Sequence, residues 1–329
     1  MPPIDLSGQI PTQYSTQIIT EATQQSAALA LGSRIPMGTK VTDMPVPKAF
    51  PRAAFVNTPG GRKPFTDLKL SNEQLTAEEI AAVVSIPDEY LDDSGIDLWG
   101  YARPLLAEAI ALAFDDAVFW GVGAPPTYPT GGLASFAIDV APGDGDAIST
   151  VNEAMSAVEA EGLAVTGHAA DVAVQGALRG VRDATGAFLL GASQTQSGSI
   201  NTLYGLPIAY SQFSTEATGD FITGAWRYLM IGVRQDIRFQ FSTDGVLADD
   251  TGKVVVSGFQ DNQTLLKVWA RFGCVVVEPV TRRAEDGAKP FAIATIADAA
   301  PFQGNFGKTG PEGPQGPPGP TGPQGPPGA

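Results

Sequence analysis

The residues able to do chemistry are few in this chain, and they are poorly spaced for it. There is one histidine, His168, and one cysteine, Cys274, among 329 residues. A Ser/His/Asp or Cys/His nucleophilic site would have to run through His168 alone, and a zinc site of Cys and His needs several such ligands. His168 lies in VTGHAAD, a setting of small residues that reads as an ordinary loop or helix-start histidine. Cys274 lies in RFGCVVVEP and reads as a small buried apolar residue with no partner for an internal disulfide. Three aspartate pairs, Asp92-Asp93, Asp115-Asp116 and Asp249-Asp250, could suggest acid/base or metal work. Adjacent residues on a helix or strand point different ways, so these read as solvated carboxylates or turn formers. The turn Gly143-Asp144-Gly145-Asp146 lacks the further oxygen ligands and closing glutamate of a calcium loop.

Two glycine motifs fail in the same way. GNFGKT, Gly304 to Thr309, ends like a phosphate-binding loop, but Phe302 stands where the first glycine is needed and a Gly-Pro run follows in place of a helix. Gly121-Val122-Gly123 is followed by Ala-Pro-Pro, which breaks the dinucleotide fingerprint. No catalytic residue, cofactor or metal is expected.

What remains is structural. Twenty Lys and Arg stand against 35 Asp and Glu, a net charge of −15, with 43% apolar and 17% charged residues, enough apolar material for a sizeable core. An acidic surface disfavours direct binding of nucleic acid or acidic membranes. No apolar run is long enough for a membrane-spanning helix, and Met1 to Asp5 has neither the basic start nor the apolar core of a signal peptide. The expectation is a protein made and kept in the cytoplasm. Isolated basic pairs, Arg62-Lys63 and Arg282-Arg283, suit pairing with acidic patches of neighbouring subunits.

The elements follow from periodicity. IDLWGYARPLLAEAIALAFDDAVFWG predicts a long helix from about Asp97 to Trp120, with Leu98, Tyr101, Leu105, Ile110, Leu112 and Phe119 leaving little polar face, so burial along much of its length. Gly121 is placed to end it, and Pro104 to kink it or mark its start. Further helices are expected over Gly8 to Leu31, Ile148 to Glu161 and Asp171 to Arg182. Strands are expected at Tyr228 to Phe241, Lys253 to Phe259, Leu265 to Val277 and Pro290 to Ile296, an α+β arrangement. Met44 to Gly95 carries prolines at 45, 47, 51, 59 and 64 around PGGRKP and reads as a long β-hairpin. Its apolar residues, Phe50, Phe55, Phe65, Leu68, Leu70 and Leu75, are too scattered to fold it alone, which predicts burial against another subunit.

The C-terminus changes character. From Gly304 a glycine recurs at every third position, and Gly310, Gly313, Gly316, Gly319, Gly322 and Gly325 are each followed by proline, the collagen Gly-X-Y pattern. Three polyproline II strands can wind together only when the axial residue has no side chain, which explains so strict a period. An unpaired disordered linker is the other reading of so few triplets. Lys308 and Glu312 cancel in the tail, so the acidity belongs to the first 303 residues.

The run VVSIPDEYLDDSGIDLWGYARPLLAEAIALAFDDAVFWGVGAPP resembles the signature of tailed-bacteriophage major capsid proteins of the HK-ninety-seven type. The resemblance falls on Ile86, Pro87, Glu89, Leu91, Asp93 and Ser94, then Arg103 to Ala111, then Asp115, Ala117, Gly121 and Gly123, and extends to IITEATQQSAALALGSRIPM and the late strands. It implies an N-terminal arm (1–44), an extended hairpin loop (45–95), a spine helix of a peripheral domain (96–135), an axial domain (136–230) meeting its copies around five-fold and six-fold axes, peripheral strands (231–303) and the collagen-like tail (304–329). The family's N-terminal scaffolding extension has no counterpart before the arm, which implies a separate scaffolding protein or none. Some members crosslink a hairpin lysine to a neighbour's asparagine; Lys63 and Lys69 lie in the corresponding region.

The expected function is therefore a major capsid protein that self-assembles, as pentamers and hexamers, into an icosahedral shell around a double-stranded DNA genome in the host bacterial cytoplasm. Portal and decoration proteins are possible partners, and the tails lie outside. Arg62, Lys63, Lys69, Phe55 and Phe65 are the candidate intersubunit contacts. The alternatives are an encapsulin-like compartment shell and a trimeric collagen-tailed surface adhesin.

Overall fold

The longest helix is built on a buried stripe. In the computed structural model, which describes residues 26–49, 53, 55–56, 63, 69–93, 98–141, 147–181, 201–212, 220–249 and 251–296, helix α3 runs Leu98–Trp120. Leu106, Ile110, Phe114 and Val118 recur every fourth residue and are buried on one face. Its first half is less covered than the sequence suggests, since Tyr101 and Leu105 are exposed. The helix begins six residues before Pro104 and continues through it. It ends as expected at Gly121, whose amide donates to the Ala117 carbonyl at φ +71°.

In chain order the elements are α1 (Ala27–Leu31), β1 (Ser33–Pro36), β2 (Val41–Pro47), β3 (Leu70–Thr76), β4 (Glu78–Pro87), α2 (Asp88–Asp93), α3, β5 (Ala137–Val140), α4 (Ala147–Ala160), β6 (Gly167–Asp171), α5 (Val174–Gly180), β7 (Thr202–Leu203), β8 (Leu206–Ser211), β9 (Asp220–Gly224), β10 (Leu229–Ser242), β11 (Val246–Ala248), β12 (Val254–Ser257), α6 (Gly258–Asp261), β13 (Gln263–Val276) and β14 (Phe291–Thr295). Helix and strand mix as predicted. Of the helix expected from Gly8 to Leu31, only α1 falls in the described residues. The helix expected at Asp171 to Arg182 is shorter, because Asp171 closes a strand and α5 begins three residues later.

Two larger sheets dominate the described residues, beside the two-stranded pairs β2-β3 and β11-β12. One has the order β1-β10-β13-β4, with the fourteen-residue β10 and β13 antiparallel at its centre. Its inner face meets α3, where Phe114 and Phe272 pack with ring centroids 4.9 Å apart. The other is a mixed six-stranded sheet, β5-β14-β9-β6-β8-β7, across which α4 lays its buried face of Val151, Ala154 and Val158.

Asp115 joins these parts. The sequence reads it as a solvated carboxylate; it is fully buried. Its Oδ1 accepts from the Ser26 hydroxyl at 2.5 Å and the Ala28 amide at 3.1 Å. Its Oδ2 accepts from the Ala27 amide at 2.8 Å and the Ser211 hydroxyl at 2.7 Å. One side chain of α3 thus holds the start of α1 and the end of β8. Burial outweighs these four donors and leaves its carboxyl above the usual range.

His168 also departs from its expected place. It lies in the middle of β6, a strand buried on both faces, and stacks on Phe221 at 5.2 Å. The Leu203 carbonyl can only accept, so Nε2 carries the proton and donates to it at 3.3 Å, while Nδ1 accepts from the Thr223 hydroxyl at 2.9 Å. Burial lowers its pKa to about 4, the Leu203 bond opposing only in part. Cys274 is buried as read, its thiol pushed up to about 12 by burial.

A lowered histidine pKa stabilises the fold above the unfolded value near 6.5, and that contribution is lost as pH falls from there to about 4. Asp115, raised, acts in the opposite sense at lower pH. Chemical denaturation of the unassembled protein should show a loss of about 3 kcal/mol between pH 7 and pH 4. The His168→Gln variant should show a clearly smaller drop over the same range.

Candidate assembly surface

The hairpin of the sequence is present at its base and shorter on its return side than expected. β2 and β3 pair antiparallel from Val41↔Thr76 to Pro47↔Leu70, and Lys48 N–H extends the ladder to the Lys69 carbonyl at 2.8 Å. At Ala77 the chain changes sheets, so Glu78–Pro87, read as part of the hairpin arm, is instead β4 of the four-stranded sheet. The cause is burial: Ile80, Ala82 and Val84 alternate onto the core beneath that sheet.

The base is seated by missing side chains. Gly232 and Gly273 are register partners near the start of β10 and the end of β13. A Cβ on Gly232 would collide with Met37 Sδ and lie 2.6 Å from Leu75 Cδ2; one on Gly273 would lie 2.7 Å from the Thr76 carbonyl oxygen. Leu75, expected to wait for a neighbouring subunit, is fully buried here with Met37 and Ala77 in a cluster of its own. The hairpin's departure from the body is therefore set by packing of β3 on a side-chain-free notch.

Beyond the base, the described positions are solvent-facing. Phe55 is 98% exposed, and Lys63, Lys69 and Leu70 are exposed too. Arg62, Phe65, Phe50 and Leu68 lie outside the described residues, as do the turn Gly143 to Asp146, Asp250 and all the collagen-like glycines. Residues 49 to 66 contain Arg52, Arg62 and Lys63 and no acidic residue, a basic stretch in an acidic protein.

A second exposed surface was not read from the sequence. At the end of the four-stranded sheet where Ser242 pairs with Leu265, the chain detours through β11, β12 and α6. Phe241, Val246, Val254, Val255 and Phe259 are all exposed there, Phe259 by 79%. Trp99 meets Phe241 edge-on at 5.0 Å and Arg103 lies 5.2 Å over its ring. The same end carries acid. Asp88 N–H donates to the Asn262 carbonyl and its carboxylate accepts from Thr264, which brings α2 with Glu89 and Asp92 alongside Asp261. Asp249 is a turn former as read, accepting from Thr251 and Lys253, and its carboxyl is held below the usual range by those bonds. The signal available in the sequence was a phenylalanine in a polar turn, Ser257-Gly258-Phe259-Gln260, with no periodicity to bury it.

Among the described residues no three His, Cys, Asp or Glu side chains gather as a metal cage, and no helix is long and apolar enough to cross a membrane. Two sheets, a spine helix and a hairpin projecting from a rigid base define a protein built to be joined to others. The sequence model of the Phage capsid family matches residues 8–280, and the chain belongs to that family, whose members are structural proteins of the virion shell. A solved structure from Microbacterium phage Oxtober96 is similar at 25% identity and TM-score 0.71, over 88% of this chain and 97% of that one. One from Mycobacterium phage Bobi is similar at 23% identity and TM-score 0.72, over 88% and 96%. The capsid of an empty GTA particle, computed with C5 symmetry, shares the fold at 17% identity and TM-score 0.58, over 89% and 97%. No curated protein matches.

The notch yields a test. Gly273→Ala should push β3 off β13 and cost about 1–3 kcal/mol, read as a lower urea midpoint. Particle formation followed by light scattering should fall further than that loss of stability explains, because the hairpin's angle changes. Gly180→Ala, where nothing lies within 4 Å of the added carbon, is the control and should assemble normally.

Proposed function

We propose that this chain is the major capsid protein of a tailed phage, assembling as pentamers and hexamers into an icosahedral shell around a double-stranded DNA genome. The observation that carries the reading is the projecting hairpin, fixed at its base on Gly232 and Gly273 and fully exposed at Phe55. A large aromatic side chain in that position costs solvation in the free chain and finds apolar burial only against a neighbour. The six-stranded sheet is the proposed axial domain, with α3 and the four-stranded sheet as the peripheral domain; β14 pairs within the six-stranded sheet, so it joins the axial part and not the peripheral strands 231–303 with which the sequence groups it. An acidic body suits a container, since a lining that bound DNA tightly would hinder packaging and release. A scaffolding protein, a portal and decoration proteins are proposed partners, and the host cytoplasm the place of assembly.

The mate of the hairpin tip is the acidic, apolar end of a neighbour's four-stranded sheet. Phe55 and Phe65 match Phe241, Val254 and Phe259 in apolar character, and Arg62 and Lys63 match Glu89 and Asp92 in charge. Reversing Arg62 and Lys63 to Glu should abolish particles in negative-stain micrographs. Adding Glu89→Lys and Asp92→Lys in the same chain should restore them. If the tip reversal leaves assembly intact, the hairpin is not the bridge. If wild-type protein forms only small oligomers under every assembly condition, with or without a scaffold, the shell reading is wrong.

The tails are proposed to lie outside and to meet in threes, since the glycine period suits a three-stranded coil and tethering raises local concentration. Twenty-six residues at about 3.1 Å each reach about 80 Å. Gly316→Ala with Gly319→Ala should remove triple-helical circular dichroism from intact particles and leave assembly unchanged. Wild-type particles without that signal, or tails that collagenase cannot reach, would rule the external trimers out.

A further inference from the structure

β4 ends its sheet, and its outer edge is unusually long and open. Among the described residues it pairs only with β13, from Pro87↔Gln263 to Glu78↔Phe272, with no shift of register. Asp88 N–H donates to the Asn262 carbonyl at 2.9 Å, one step beyond that ladder, and hydrogen-bonded pairs alternate along an antiparallel ladder. Residues 78, 80, 82, 84 and 86 therefore turn their amides and carbonyls toward β13. Glu79, Ala81, Val83 and Ser85 turn theirs to the open side. Four consecutive donor–acceptor sets on one free edge, with Ala81 and Val83 exposed beside them, form a template for another strand.

The space beneath that edge is shaped for side chains. A cleft of about 380 Å³ runs between Glu78, Glu79 and Ile80 of the strand and Ala113, Phe114 and Ala117 of α3. We propose that the chain's own residues 12–20 add to β4 as a fifth strand, with the side chain that comes to lie beside Glu79 and Ile80 entering this cleft. Residues 12–20 lie within Gly8 to Leu31, where a helix is expected from the sequence, but TQYSTQIIT also alternates with the period of a strand. Thr12, Tyr14, Thr16, Ile18 and Thr20 are β-branched or aromatic on one side, and the other side carries Gln13, Ser15 and Gln17, polar, with Ile19 as its one apolar residue. No charge falls between Leu6 and Thr20, so Glu78, Glu79 and Asp116 at the cleft repel nothing.

Reach also favours the chain's own segment. Ser26 is held by Asp115, on the same turn of α3 whose Ala113, Asp116 and Ala117 line the cleft. From residue 20 to Ser26 an extended chain spans about 20 Å, and half the circumference of a helix about 10–12 Å across is about 16–19 Å, so a fully extended connection just reaches around α3. The added strand saturates an edge that would otherwise invite unprogrammed pairing between chains.

The test uses amide hydrogen exchange of the unassembled full-length protein, compared with a chain lacking residues 2–20. In the full chain the amides of Glu79, Ala81, Val83 and Ser85 should exchange within about tenfold of Ile80, Ala82 and Val84. In the truncated chain those four should exchange at least about 100-fold faster while the even-numbered amides hold. Thr16→Pro with Ile18→Pro in the full chain, which removes two donors, should give the same alternation if truncation harms folding. Fast exchange at the four amides in the full chain, or unchanged protection in both variants, overturns the proposal. So does protection restored to isotope-labelled truncated chain by unlabelled full-length chain, since the strand would then come from another copy. None of these outcomes bears on shell formation, which is read separately on particles.

Discussion

A single buried carboxylate sets the arrangement of the parts. Asp115 sits where α3 passes between the segment that enters the fold at Ser26 and the six-stranded sheet that ends β8 at Ser211. Placing an ionisable group in that core is unfavourable unless its oxygens are satisfied, and here two hydroxyls and two amides satisfy them. The four donors have the same requirement in reverse. Removing any of the three elements leaves unpaired polar atoms in apolar surroundings, so the elements hold one another in place. Most of the core is apolar packing, which is permissive about angle; the Asp115 contacts are directional, as are the buried bonds of His168 within the six-stranded sheet and of the Tyr128 hydroxyl to the Phe272 carbonyl.

A body fixed in this way gives the hairpin something to project from. The notch at Gly232 and Gly273 transmits the position of β10 and β13 directly to β3, with Leu75 as the filling side chain. Glu79, on the strand that follows, is tied to Arg271 at 2.7 Å and to Lys267 at 3.6 Å, which holds its carboxyl below the usual range. Those pairs are exposed and contribute little alone, but they keep β4 and β13 in register just beyond the turn at Ala77. Rigidity at the base and exposure farther out are what a shell subunit needs, because the contact that joins copies must be placed by the fold of each.

Much of this was legible in the residues. The long helix, its end at Gly121 and the strands β10, β13 and β14 follow from periodicity and turn chemistry, while β11 was not read and the strand expected over Lys253 to Phe259 stops at Ser257, where α6 begins; the family follows from the run through α3. The misreadings share a cause: long-range contacts that leave no local mark. Asp115 stands beside Asp116 in the helix and only the fold distinguishes them, one facing donors 87 to 96 residues away. His168 looks like a loop residue because Gly and Ala flank it, yet small neighbours are what let a strand be buried on both faces. The division of the hairpin's return arm at Ala77 was hidden because β3 and β4 are both extended and differ only in the partner each finds. The exposed apolar end at Phe259 carries no periodic signal, and no described residue buries it.

The central claim is that Asp115 couples the entering segment, the spine helix and the six-stranded sheet. Its most direct test is the Asp115→Ala variant of the unassembled protein, followed by urea unfolding together with hydrogen exchange at Ala27, Ala28 and Ser211. The account predicts a loss of about 3 kcal/mol or more, with protection falling at Ala27 and Ala28, whose amides lose their acceptor, and at Ser211 through opening of the strand end whose hydroxyl is left unpaired. A loss below about 0.5 kcal/mol with Ala27 and Ala28 still protected would contradict it, and would mean that apolar packing alone sets how these elements meet.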